Sequence, residues 1–345
     1  MAQFHLHMQS IGRSRSRSAV AAAAYRAGCK LKEKVICRDT GVVTFFEHDY
    51  SNKPGVAHSE IMAPDGAPSW MRDRQVLWNS IQNEFDTAKN SVFCKEMDIA
   101  LPIHLTESQN IELARRYVSE VLVDGYGLVC DLNVHYDNPE NPHAHIMTST
   151  RLLVMGKNGE MTFGNKIRYL DDKKFLYEIR AQLGAYINRD LAKYGHPERV
   201  SHLSYKARGI DMHPTIHKGV GHHLNGAERA LLNAEILKDR ALMLKENPEI
   251  MLKAMQSEKC YFTLPELENR VYELLLDDNV DDGSIRSNDG DLSLSVMKIV
   301  QKSAAEIVEV LSTSKELVHL QALDGLGKQY YATQTRINEE KEFLG

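Results

Sequence analysis

The stretch GLVCDLNVHYDNPENPHAHIMTSTR, Gly127–Arg151, decides how the chain is read. GLVCDLNVHY and HAHIMTSTR alternate with period two, and DNPENP between them is rich in turn formers, so two neighbouring antiparallel strands are expected. His143 and His145 then share one face, with Cα atoms roughly 6.5–7 Å apart. His135, near the end of the preceding strand, can face them across the hairpin. Histidines at i and i+2 alone fit a half-buried polar pair as well as a metal site. The H-x7-H-x-H spacing brings three imidazoles together on one sheet surface and favours the metal. Three protein ligands leave coordination positions open, as catalytic metal sites require. A neutral ligand set leaves the ion its full charge toward an anion, for which a phosphodiester is the natural candidate. The chain has no H-E-x-x-H and no carboxylate motif beside the histidines that clearly activates water. Something else is expected to supply the nucleophile.

Outward from this stretch, strands and helices interleave. QFHLHM (Gln3–Met8) alternates as a strand, and SAVAAAAYRAGCK (Ser18–Lys30) is a strong helix former with Gly28 near its end. VICRDTGVVTFF reads as a hairpin around Asp39, Thr40 and Gly41, and Ser69–Lys89 as a helix. KEMDIALP (Lys95–Pro102) is a strand closed by proline. Thr106 and Gln109 form a capping-box pattern opening a helix to about Val123, and an amphipathic helix is expected near Lys173–Tyr194. Several strands adjoin through short turns, which implies an α+β fold with a central, largely antiparallel sheet rather than a doubly wound parallel one.

Charge separates the chain into two parts. Residues 1–230 carry 29 Lys/Arg against 26 Asp/Glu, a balance of +3, and the remainder 13 against 21, a balance of −8. The first part also holds 14 of the 15 histidines, so metal or proton chemistry is expected there. The expected division is 1–220 as one domain and 221–345 as a helical, acidic region with a linker-like DDNVDDGSIRSNDGD at 277–291. Five scattered cysteines without CxxC spacing argue against a disulfide framework and a thiolate zinc site, and suit a reducing cytoplasm. No run approaches the ~20 apolar residues of a membrane span, and no GxxxxGK[ST] loop is present.

GRSRSRSAVAAAAYRAG places Tyr25 on a helix behind Arg13, Arg15 and Arg17, with Arg26 and Lys30 following. These five basic residues are candidate contacts for a phosphate-rich partner; a solvated face is the alternative. A tyrosine nucleophile suits such a metal. With a phenol pKa near 10 its phenolate leaves more readily than an alkoxide, so strand cleavage becomes reversible strand transfer.

The N-terminal strand, the SAVAAAAYRAG helix, the strand ending in ALP and NPHAHIMTSTR, in this order, resemble the MobA/MobL family of plasmid mobilization relaxases. These belong to the wider group of endonucleases with a His-hydrophobic-His (HUH) motif and a nucleophilic tyrosine. The likeness covers about residues 1–220, through YKARGIDMHPTIHKG. It implies a palm-like sheet, a divalent metal (magnesium or manganese) on three histidines, and nicking of single-stranded DNA at a transfer origin through a 5'-phosphotyrosine. Residue by residue, it puts the nucleophile on Tyr25 and the ligands on His135, His143 and His145. Glu96 and Asp98 lie where such proteins carry acidic residues, which implies orienting or proton-handling roles. It also implies auxiliary transfer proteins and a coupling protein or secretion machinery as partners. On ligand softness alone, imidazoles suit manganese, zinc or nickel. CYFTLPELENRVYELL, KELVHL and QYYATQTRINEEKEFL resemble the segment before the helicase in Ti-type relaxase-helicases, so the chain is expected to be the front of a longer protein or a shortened natural form. Two other readings stay open: a three-histidine hydrolase using metal-bound water, and a remnant that binds DNA without cutting it.

Overall fold

Alternating strands with one apolar face need a covering layer, and this chain covers its central sheet on both sides. The structure, a computed structural model, describes residues 4–13, 17–37, 40–204, 206–208, 242–275, 304–320 and 328–344. Arg15, the expected boundary at 220/221, the linker at 277–291 and most of YKARGIDMHPTIHKG lie outside the described residues. The chain divides into two compact units, Met1–His196 and Pro197–Gly345.

In the first unit the strands are β1 (Leu6–Gly12), β2 (Lys30–Ile36), β3 (Val43–Asp49), β4 (Val56–Met62), β5 (Val92–Ala100), β6 (Cys130–His135), β7 (His143–Ser149), β8 (Arg151–Met155) and β9 (Met161–Lys166). The helices are α1 (Ala19–Ala27), α2 (Arg74–Ser80), α3 (Glu107–Tyr117) and α4 (Lys173–Lys193). Five strands form one sheet in the order β1-β5-β7-β6-β4, and every neighbouring pair is antiparallel. β2 with β3, and β8 with β9, are separate hairpins.

The sequence explains each placement. Ser18 caps α1 by accepting from the Ala21 amide, and Gly28, at φ 58, ends it in the left-handed conformation. Ala19, Val20, Ala23 and Ala24 are fully buried in a core shared with Trp78, Cys94 and Met147. Their small side chains let the α1 backbone approach the sheet closely. On the other face Ala144 and Ile146 of β7 are fully buried, while His143 and His145 point the opposite way and stay partly exposed. The Thr106–Gln109 capping box has both of its hydrogen bonds. The helix expected over Ser69–Lys89 is broken: Asp73, in an extended conformation, caps a new helix by accepting from the Val76 amide, and Ile81–Phe85 widens into a π turn. Strand β4 and the β8–β9 hairpin were not expected. Every residue of β4 is half-buried, so this edge strand lacks the two-faced pattern that marks a strand in sequence.

The second unit has helices Glu249–Glu258, Leu264–Leu275 and Gln334–Leu344. It also has a two-stranded ribbon, Leu317–Leu320 with Tyr330–Thr333, which the helical expectation lacks. Its own core includes Met251, Phe262, Leu267 and Leu311.

One buried charge ties β6 to α2. Asp131 receives two hydrogen bonds from Arg74 and one each from Trp78 and Asn133, all 2.9 Å long. Removing one partner of a buried ion pair strands the other, at about 3–5 kcal/mol. Asp131→Ala is therefore expected to lower stability by about that amount in denaturant titration. Lys30→Ala, which removes the exposed pair with Glu47, should leave the midpoint unchanged.

Candidate metal centre and nucleic-acid site

Antiparallel register sets the site. His135 of β6 is the cross-strand partner of His143, and His145 lies between Asp98 of β5 and Asn133 of β6. The three rings sit at the corners of a near-equilateral triangle with centroid separations of 5.0, 5.1 and 5.2 Å. One nitrogen from each lies within 4.8 Å of the others, close enough to share one ion.

Two of the rings are anchored to backbone carbonyls. His135 Nε2 donates to the Arg26 carbonyl at 2.6 Å, and His143 Nδ1 donates to the Asn141 carbonyl at 2.9 Å. These carbonyls fix the tautomers, because a carbonyl can only accept. His145 Nδ1 faces Glu96 Oε1 at 3.3 Å. Backbone or carboxylate partners behind the imidazoles are the usual support of a metal-binding histidine, so the donor set fits a divalent cation. Burial, opposed by the Arg26 carbonyl and reinforced by Lys53 and the other two histidines, pushes His135 down to about 4. Its imidazole is thus neutral, as ligation requires, across the physiological range.

Glu96 is 2 % exposed and sits at the centre of a small network. It accepts from Gln9 Nε2 at 2.9 Å, pairs with the Arg26 guanidinium and faces His145. Burial works against its charge, yet His145 and Arg26 together hold its carboxyl down to about 2. Asp98 is half-buried on the same face, with His7 and His145 as its neighbours across the strands. His5 and His7 are exposed.

Tyr25 lies on the last turn of α1 and is 48 % exposed. The next residue, Arg26, supplies the carbonyl that holds His135, so the tyrosine backbone adjoins the histidine cluster. Tyr50 meets the Tyr25 ring edge-on at 5.3 Å, and Lys53 Nζ stands 3.9 Å from its centroid. Neither residue was singled out in the sequence. The basic residues differ in their uses. Arg13 donates to the Gln82 carbonyl at 2.6 Å and stacks on Phe93, Arg26 pairs with Glu96, and Lys30 pairs with Glu47 and Asp49. Arg17 is exposed and donates to Gln9 at 3.1 Å.

A five-stranded antiparallel sheet bearing three histidines on one face, with a tyrosine helix laid against them, defines an α+β protein built around a candidate metal centre. The MobA/MobL family model matches residues 17–225, and the chain belongs to that family. The probable conjugal transfer protein TraA of Sinorhizobium fredii is 32% identical over 300 residues, covering 76% of this chain and 26% of that protein. Mobilization protein MobL of Acidithiobacillus ferridurans is 32% identical over 252 residues, covering 64% of this chain and 62% of its own length. The chain thus spans 26% of the length of its TraA relative. A solved structure concerned with vancomycin resistance transfer in Staphylococcus aureus superposes with a TM-score of 0.51 at 31% identity, covering 59% of this chain and 100% of that one. Among the described residues no helix is long and apolar enough to cross a membrane.

The Glu96 carboxyl, ordinarily at 4.5 and here at about 2, adds stability above the ordinary value that is lost as pH falls toward 2. In chelator-treated protein, wild type should lose more stability than Glu96→Gln on acidification through this window, read from denaturant midpoints. Parallel pH profiles of the two proteins would show that Glu96 is not held charged by its network.

Proposed function

We propose that the chain is the nicking part of a conjugative relaxase, a DNA strand transferase that cuts one strand at a plasmid transfer origin and can rejoin it. The observation that carries this reading is the packing of the Tyr25 helix against the three histidines, through the 2.6 Å contact between Arg26 and His135. Membership of the MobA/MobL family supports it, as do relatives named for conjugal transfer and mobilization.

In this reading Tyr25 attacks a phosphodiester of single-stranded DNA and forms a 5'-phosphotyrosine, and a 3'-hydroxyl departs. His135, His143 and His145 would hold a divalent ion, magnesium or manganese, whose charge would polarise a non-bridging phosphate oxygen. Glu96 orients His145 and fixes Arg26, while Asp98 is placed to handle a proton. Arg17, exposed on the segment leading into α1, is one of the described basic candidates for the DNA backbone. The nicking domain is assigned to 1–220 and a separate helical region to 221–345, acting in the cytoplasm with auxiliary transfer proteins and a coupling protein.

Two outcomes test this. With manganese and single-stranded oligonucleotides from the intergenic DNA of its element, the protein should form a denaturation-resistant adduct that Tyr25→Phe abolishes. An adduct that persists in Tyr25→Phe contradicts the nucleophile assignment, and free cleavage without adduct favours attack by water. His143→Ala should lower the cleavage rate by roughly 10²-fold or more while most oligonucleotide affinity remains. Equal loss of both would mean that the histidines serve the fold.

A further inference from the structure

The loop between β3 and β4 is tied to α1, to the residues just after it and to those after β6. The Tyr50 amide donates to the Cys29 carbonyl at 3.2 Å, and the Tyr136 amide donates to the Gly55 carbonyl at 2.7 Å. Gly55, at φ +82, lies so close to Asp137 that an added Cβ would be 2.6 Å from its backbone. An added Cβ on Gly28 would similarly meet Val56 at 2.9 Å. This loop carries Lys53, whose ammonium donates to the Tyr25 carbonyl at 3.1 Å and stands 3.9 Å from the Tyr25 ring centroid. Tyr50, from the same loop, closes on the ring from another direction. An exposed tyrosine at the end of a helix is ordinarily free to rotate, and this one is gripped by its ring and its backbone together.

We propose that Lys53 is a positioning residue for Tyr25, holding the phenol in one orientation and keeping a fixed positive charge against the ring while the Tyr25 Oη–phosphorus bond forms and breaks. This rests on the reading of Tyr25 as nucleophile. In the forward step the Tyr25 oxygen bonds to phosphorus and the electron pair of the broken bond goes to the 3'-oxygen. The phenol gives a proton to solvent and the 3'-oxygen takes one up, so no co-reactant is needed. The reverse step expels the phenolate, and a cation over an aromatic face is attracted more strongly as that ring gains negative charge. The effect therefore falls on the chemical step in both directions rather than on DNA affinity.

The test compares the wild-type chain, Lys53→Met, Lys53→Arg and Tyr25→Phe with manganese and the cleavable single-stranded oligonucleotide. Single-turnover adduct formation at saturating oligonucleotide, oligonucleotide affinity by anisotropy and thermal midpoints are measured. Lys53→Met should form adduct about tenfold or more slowly, with affinity and midpoint close to wild type, and Lys53→Arg should recover most of the rate. A wild-type rate in Lys53→Met overturns the proposal, as does a loss explained by weaker binding or a lowered midpoint. Tyr25→Phe separates the two levels: adduct in that variant refutes the nucleophile itself, whereas its absence beside an unimpaired Lys53→Met refutes the role of Lys53 alone.

Discussion

Arg26 is the staple on which the site depends. Its backbone carbonyl accepts from His135, and its guanidinium pairs with Glu96, which in turn faces His145. The guanidinium also donates to the Ala22 carbonyl at 2.9 Å, tying the pair to its own helix. One residue thus connects α1 to two of the three histidines, through its main chain on β6 and its side chain on β5. A buried carboxylate beside an imidazole cluster would otherwise be costly, and His145 and the arginine together keep it charged. In sequence Arg26 belongs with the basic residues that are candidate contacts for a phosphate-rich partner. In the fold its charge is directed inward.

The chemistry of the site follows from the same arrangement. The face of β5, β6 and β7 carrying the histidines is covered by α1 only in part, leaving His143 and His145 half-exposed while the opposite face is sealed. Small residues along α1 set the close approach, and the Gly28 cap redirects the chain into the hairpin whose return loop brings Tyr50 and Lys53 back to Tyr25. The proposed nucleophile and the proposed metal ligands therefore come from distant parts of the chain but share a backbone contact.

Much of this was legible in the sequence because it is periodic. Alternation at Gly127–Arg151 gave the strand pair, and period two placed His143 and His145 on one face, with His135 opposite His143. Gly28, near the end of its helix-forming run, and the Thr106–Gln109 capping box marked helix ends through chemistry that acts within a few residues. What stayed hidden depends on long-range geometry. Strand β4 has no two-faced pattern, because a half-buried edge does not sort its residues. The Asp131–Arg74 pair, the carbonyls behind His135 and His143, and the grip of Lys53 on Tyr25 join residues that no local pattern links. The second unit was expected to be helical, and its ribbon is made of two four-residue strands, too short for alternation to register.

The central claim is that Tyr25 becomes covalently joined to DNA beside the histidine cluster. Its most direct test is to trap the manganese-dependent adduct, digest it with nuclease and trypsin, and locate the nucleotide by mass spectrometry. The account predicts the added phosphonucleotide on the Ser18–Arg26 peptide, at Tyr25. A nucleotide on any other peptide, Tyr50 included, would contradict it.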